Sequence, residues 1–185
     1  MQKHALTFGA LAGLILILLF ILEQSLWFKD PENIDFKKGE ILGYISMLIS
    51  LSMIFFGVRT YRDKHLNGII SFGKAFQVGL WITLVASTIY VVGWIIYFNT
   101  SETMQQFPEL YLNYMLEELQ KSGASTTEIA EKEVEFRRNM AMYKNPVVMI
   151  GITFLEIFPV GLVIDLLSAF LLRSKNAKAE ASSNA

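Results

Sequence analysis

Two carboxylates interrupt the last apolar run of the chain. Glu156 and Asp165 stand between Val147 and Leu172, where the other polar side chains are Thr153 and Ser168. A carboxyl group inside a membrane helix can take up a proton, hold a cation or hydrogen-bond a neighbouring helix. Even the mildest scale charges about 2.5–3.5 kcal/mol for an Asp at a helix centre, so such a residue is a functional candidate by default. Glu156 lies roughly 14 Å along a helix from Val147, near the middle of a hydrocarbon core about 30 Å thick. Asp165 lies roughly 12 Å from Arg173. Pro159 has no N–H for the carbonyl of Leu155, so a helix break and a free acceptor are expected beside Glu156. At roughly 100° per residue the two acids are half a turn out of phase and face opposite ways unless a kink intervenes.

Two uses are open for Glu156. One is a neutral carboxyl bonded to a small polar residue on another span, such as Ser50 or Thr83, the common inter-helix use of polar side chains. The other is a proton, ion or small-solute site. Asp165 has a simpler reading, an ion pair with Lys74 or Arg59 at the ends of neighbouring spans.

Other chemistries lack their residues. The chain has no cysteine, which excludes disulfides, thiolate metal sites and a cysteine nucleophile. His4 and His65 are the only histidines. No dinucleotide, P-loop, HExxH or GxSxG motif is present, and no nucleophile stands beside a base. No catalytic residue, metal or cofactor is therefore expected. Sixteen Lys and Arg against seventeen Asp and Glu leave a net charge of -1 and no basic footprint for nucleic acid.

The elements that must position the acids are membrane helices. Of the 185 residues 53% are hydrophobic and 18% charged, against about 25% charged in a soluble domain. The apolar residues gather in four blocks, about 5–28, 41–58, 75–98 and 147–172. Each suffices for a span of about 17–25 residues, and none shows the short alternating strands of a membrane barrel. The first block is longer than a signal-peptide core and ends without a small-x-small cleavage site, so it reads as an uncleaved span. Trp27 and Phe28 close the first span and Trp94, Tyr97 and Phe98 the third. Basic residues balance across the two sides, but Lys3, Arg59, Arg62, Lys64, Lys74 and Arg173 crowd the short segments. That puts both termini in the cytoplasm.

Gly9 and Gly13 form one small-residue stripe, Gly79, Thr83 and Ser87 another, and Ser46 and Ser50 a third. Such stripes let helix backbones approach closely. The reading taken is packing within one bundle; the alternative is a seam between two copies. Residues 99–146 form the one sizeable soluble segment. Pro108 is expected to open a helix that Gly123 stops, and Ser125 with Glu128 forms a capping box for a second helix ending near Tyr143. Glu117–Lys121, Glu128–Lys132 and Glu133–Arg137 are acid-first i, i+4 pairs, so this acidic segment reads as the solvated face of a helical hairpin. Residues 173–185 are small and polar, and read as a disordered cytoplasmic tail.

Gly57 to Gly79 reads GVRTYRDKHLNGIISFGKAFQVG, and Phe154 to Leu172 reads FLEIFPVGLVIDLLSAFLL. Together they resemble the bacterial membrane proteins collected as domain of unknown function 4199. The resemblance rests on a turn at Tyr61, Arg62, Asp63 and Lys64, on the span entry Phe72, Gly73, Ala75 and Phe76, and on Phe154 through Gly161. Asp165 stands outside that pattern. The resemblance implies a fold and a membrane, and no reaction. It also singles out Arg59, Arg62, Asp63 and Lys64. They form either a contact for anionic headgroups or a partner, at about 1 kcal/mol per basic residue, or a topology anchor.

The expected fold is an all-α membrane protein, a bundle of four transmembrane helices (residues 1–172) with an external helical hairpin between spans three and four. The expected protein is a non-enzymatic structural or accessory component of the bacterial inner membrane. The rival reading is a small-solute, ion or proton transporter subunit using Glu156 beside Pro159. Its partners are the lipid bilayer, a protein at the outer hairpin, and a second copy if the small-residue stripes face outward.

Overall fold

The computed structural model describes residues 1–27 and 34–174, apart from the side chains of Trp27 and Thr103. The Trp27 ring, Phe28 and the tail from residue 175 lie outside the described residues. Every described element is a helix: α1 (Gln2–Trp27), α2 (Phe36–Leu51), α3 (Met53–His65), α4 (Phe72–Thr100), α5 (Glu102–Lys121), α6 (Thr126–Tyr143) and α7 (Pro146–Leu172). Gln2–Leu26, Phe36–His65, Phe72–Thr100 and Pro146–Leu172 are each long and apolar enough to cross a membrane. This is an all-α membrane protein.

The spans outrun their apolar blocks because local chemistry, not hydropathy, ends a helix. Asp35 caps α2 by accepting from the Lys38 N–H at 3.0 Å, and that bond holds its carboxyl below the usual value. At the other end the basic turn Arg59, Arg62, Lys64 continues α3 past its last apolar turn. Between α2 and α3, Ser52 bonds its hydroxyl to the Ile49 carbonyl at 2.6 Å, and the Phe56 N–H reaches the Ser52 carbonyl only at 3.4 Å. After α3, Asn67 and Gly68 both take positive φ (48° and 85°), the tight reversal an Asn-Gly pair favours.

The chain divides into two compact units, Met1–Val92 with Phe154–Ala185, and Gly93–Thr153. The first has small residues inside and large ones outside. Ala5, Ala12, Ser50, Ala75, Thr83, Ala86, Ser87 and Ala169 are buried, whereas Leu14, Leu18, Leu22, Ile49, Leu155 and Leu171 are exposed. Lipid is as apolar as leucine, so membrane helices gain by close backbone approach and leave bulk to the lipid. A Cβ on Gly9 would fall 2.8 Å from the Ile82 carbonyl oxygen, and one on Gly13 3.1 Å from that of Ala86. The first small-residue stripe therefore packs within the chain, with α1 parallel to α4. A Cβ on Gly57 would meet Ile82 at 2.5 Å and Phe8 at 3.0 Å. Ser174 and Ile70 bond reciprocally (2.8 and 3.1 Å), tying the end of α7 to the loop before α4.

The second unit is held by α5 and α6. Its first helix starts at Glu102 rather than at Pro108, because Ser101 accepts from the Met104 N–H. Pro108 then sits inside the helix, where it costs only the donor for the Met104 carbonyl. Gly123 (φ 82°) ends α5, with the Ala124 N–H on the Leu119 carbonyl and the Gly123 N–H on that of Gln120. Ser125 caps α6 by accepting from the Glu128 N–H. Glu117–Lys121 (2.9 Å) and Glu133–Arg137 (3.0 Å) form as spaced, and Glu117 raises the pKa of Lys121. Lys132 turns instead to Glu135 at 2.8 Å, one residue closer than a full i, i+4 step. Arg137 also reaches Glu109 of α5 at 3.0 Å, and Tyr111 packs on Phe136. Trp94 donates to the Tyr143 hydroxyl at 2.7 Å, which stands 3.3 Å from Thr153.

Candidate functional site

Within the first unit the buried residues of α7 are Ile157, Gly161, Asp165, Ser168, Ala169 and Leu172, and Ile157, Gly161, Asp165 and Ala169 form one row. A four-residue step keeps side chains on one helix face. That row runs antiparallel to the Gly79, Thr83, Ser87 row of α4. A Cβ on Gly161 would fall 2.5 Å from the Thr83 methyl, and one on Gly79 would fall 1.8 Å from Asp165 Oδ1. The carboxyl of Asp165 thus fills the place of the side chain Gly79 does not have. Ile54 of α3 closes the same spot, 3.2 Å from that Cβ position.

Asp165 is 0% exposed, and neither Oδ1 nor Oδ2 has a hydrogen-bond partner among the described residues. The expected ion pair is not formed. Lys74 donates to Gln77 at 3.1 Å, and Arg59 lies 3.8 Å from Asp63. Lys74 is more than a turn nearer the start of α4 than Gly79, and the carboxyl is directed across the bundle rather than along it. Thr83 donates its hydroxyl to the Gly79 carbonyl at 2.9 Å, while the buried hydroxyls of Ser50 and Ser87 have no partner among the described residues.

Glu156 has the opposite fate. It is exposed, flanked by Leu155 at 69% and Ile152 at 49%, and no hydrogen bond joins it to Ser50 or Thr83. The half-turn offset from Asp165 decides this, since α7 runs unbroken through Pro159 from Pro146 to Leu172. The expected helix break is absent because one missing N–H is tolerated where neighbouring helices hold the segment.

A family model described as a protein of unknown function (DUF4199) matches residues 7–174. The chain belongs to the DUF4199 family. No curated protein and no solved structure matches it.

The DUF4199 match contains both acids and the basic turn. In that turn Arg62 lies 2.7 Å from Asp63 and Arg59 3.8 Å from it, while Lys64 is exposed. Asp63 therefore organises two arginines rather than diluting them. Beside it stands a cluster that spacing alone conceals. His4 bonds the Gly57 carbonyl at 2.8 Å, and its ring centroid lies 4.7 Å from Phe8, 5.4 Å from Tyr61 and 5.8 Å from His65. The one-turn spacing of Tyr61 and His65 is the available signal, but nothing in the sequence brings His4 to them. Similarly, Ser46 donates to the Glu23 carboxylate, joining α2 to α1. No group of three or more metal-capable side chains occurs among the described residues.

Proposed function

We propose that this protein is a non-enzymatic accessory component of the bacterial inner membrane. It docks laterally on another membrane protein through the α7 face that carries Glu156. The observation that carries this reading is an acid facing out of its own bundle from mid-span. Glu156 lies roughly 15 Å from the start of a helix about 40 Å long, too deep for so short a side chain to reach water. Its neighbours Leu155, Val163 and Leu167 are 69%, 56% and 57% exposed. A carboxyl in lipid is expensive unless a partner supplies a donor. A second copy meeting this face would bring a like carboxylate. A partner helix offering Lys, Arg or an amide complements it. The α5–α6 hairpin, with Val134 at 68% and Tyr111 at 39% exposure, supplies the second contact. Transport through Glu156 has less support, because that residue faces away from the interior of its own bundle.

A photo-crosslinker at Leu155 in native membranes should give one adduct with a different membrane protein. Glu156→Leu should reduce that adduct at least tenfold, and Glu156→Gln, which keeps a hydrogen-bonding head, should reduce it less. An adduct of two copies of this chain, or none, overturns the reading.

The orientation proposed is both termini in the cytoplasm, with the basic turn Arg59, Arg62, Lys64 beside anionic headgroups. The alternation of α1, α4 and α7 supports placing both ends on one side. A cysteine at Ser122 should react with an impermeant thiol reagent on intact spheroplasts. One at Asn67 should react only after permeabilisation, and the reverse pattern inverts the topology.

A further inference from the structure

We propose that Asp165 is a reversible proton-binding site inside the bundle, and that Gly79 is the residue that makes room for it. The site is built from three helices. Asp165 of α7 is wholly buried with both oxygens unpartnered, Gly79 of α4 supplies the niche and Ile54 of α3 closes it. A bare carboxylate in such a medium neutralises rather than remain an isolated charge.

The charged groups on the surrounding elements do not relieve it. On α3, Arg59 and Arg62 serve Asp63, Lys64 is exposed, and His65 packs at a tilt against Tyr61. On α4, Lys74 serves Gln77, and Tyr90 stands roughly 16 Å farther along the helix than Gly79. On α1, His4 is held by the Gly57 carbonyl. Arg173, after α7, lies over the Phe170 ring. Glu156 is on the opposite face of α7.

The ligand is a proton rather than a metal ion on grounds of coordination. A hard cation asks for a shell of about six oxygens. Here the side-chain oxygens at the niche are the two of Asp165, with Thr83 Oγ1 one turn along α4, well short of that shell. A proton needs one carboxylate lone pair. This inference does not depend on the docking face at Glu156.

The test is the infrared spectrum of the full chain in lipid nanodiscs. Wild type should show a protonated carboxylic-acid stretch at neutral pH that shifts in D2O and disappears reversibly in alkali. Glu156→Gln, which removes the other carboxyl of the span, should keep it, and adding Asp165→Asn in that background should lose it. Gly79→Ala should shift or abolish it by displacing the carboxyl. If Asp165→Asn fails to fold, carboxyl-13C aspartate in an Asp30→Asn background replaces it. Of the remaining aspartates, Asp35 and Asp63 are held ionised by Lys38 and Arg62, so an isotope-shifted acid band belongs to Asp165. No acid band at neutral pH, or a band unchanged in Asp165→Asn or Gly79→Ala, overturns the site. A band controlled by sodium or potassium rather than by pH assigns it to a cation instead.

Discussion

Gly9→Leu should cost the folded bundle about 3 kcal/mol or more, at the upper end of what overpacking costs a closely packed interior. A Cβ there would lie 2.6 Å from Val85 Cβ and 2.8 Å from the Ile82 carbonyl oxygen. The first contact is with the branch point of a side chain and the second with backbone, so neither can swing aside. Relief requires α1 to move away from α4, and this opens the Ala5, Ala12, Leu16 face along its whole length. Gly43→Leu is the matched control, because a Cβ at Gly43 meets nothing within 4 Å. It should be neutral or slightly stabilising, since leucine is the better helix former by up to about 1 kcal/mol. Thermal unfolding in detergent micelles should separate the two variants clearly. Equal stability would mean that Gly9 and Gly13 do not face α4, and would return that stripe to a seam between copies.

The spans and the hairpin were legible in the sequence because their signals are local. Apolar length marks a membrane helix, and Ser125 and Gly123 mark a helix start and stop whatever surrounds them. Boundaries were less legible. Pro108 has the residue type of a helix start, but Ser101 makes the capping bond and starts the helix earlier. Asp35 likewise extended α2 beyond its apolar block. Rotation was legible in one respect: the spacing of Glu156 and Asp165 puts them on opposite faces. Which of them turns inward was not, because that depends on where Gly79 lies on another helix. From sequence alone each acid has local partners to hand, Ser50 or Thr83 for Glu156 and Lys74 or Arg59 for Asp165. The fold satisfies neither pairing. It leaves one carboxyl on the exposed face of its helix and buries the other against a glycine. The His4, Tyr61 and His65 cluster was illegible for the same reason, since contacts between distant segments carry no periodicity.

Replacing Asp165 by a side chain of similar shape should make the protein more stable, not less. A buried polar atom without a partner costs about 1–3 kcal/mol, and a matched apolar replacement recovers that cost. Asp165 has two such atoms and is 0% exposed. Leucine repeats the branching of the carboxyl but is wider, and it presses on the Gly79 niche, where overpacking costs about 1–3 kcal/mol. Valine avoids that pressure but leaves a small void. The two variants bracket the site, and at least one should melt above wild type by an amount equivalent to about 1 kcal/mol. Asparagine should give no gain, because its amide is as poorly served as the carboxyl. A loss above about 2 kcal/mol in both apolar variants would mean that Asp165 holds the helices together through polar contacts of its own. Stability regained on removing the acid would mean the bundle carries it at a cost. That is the behaviour of a group kept for its chemistry, because packing alone would favour leucine or valine between Gly79 and Ile54.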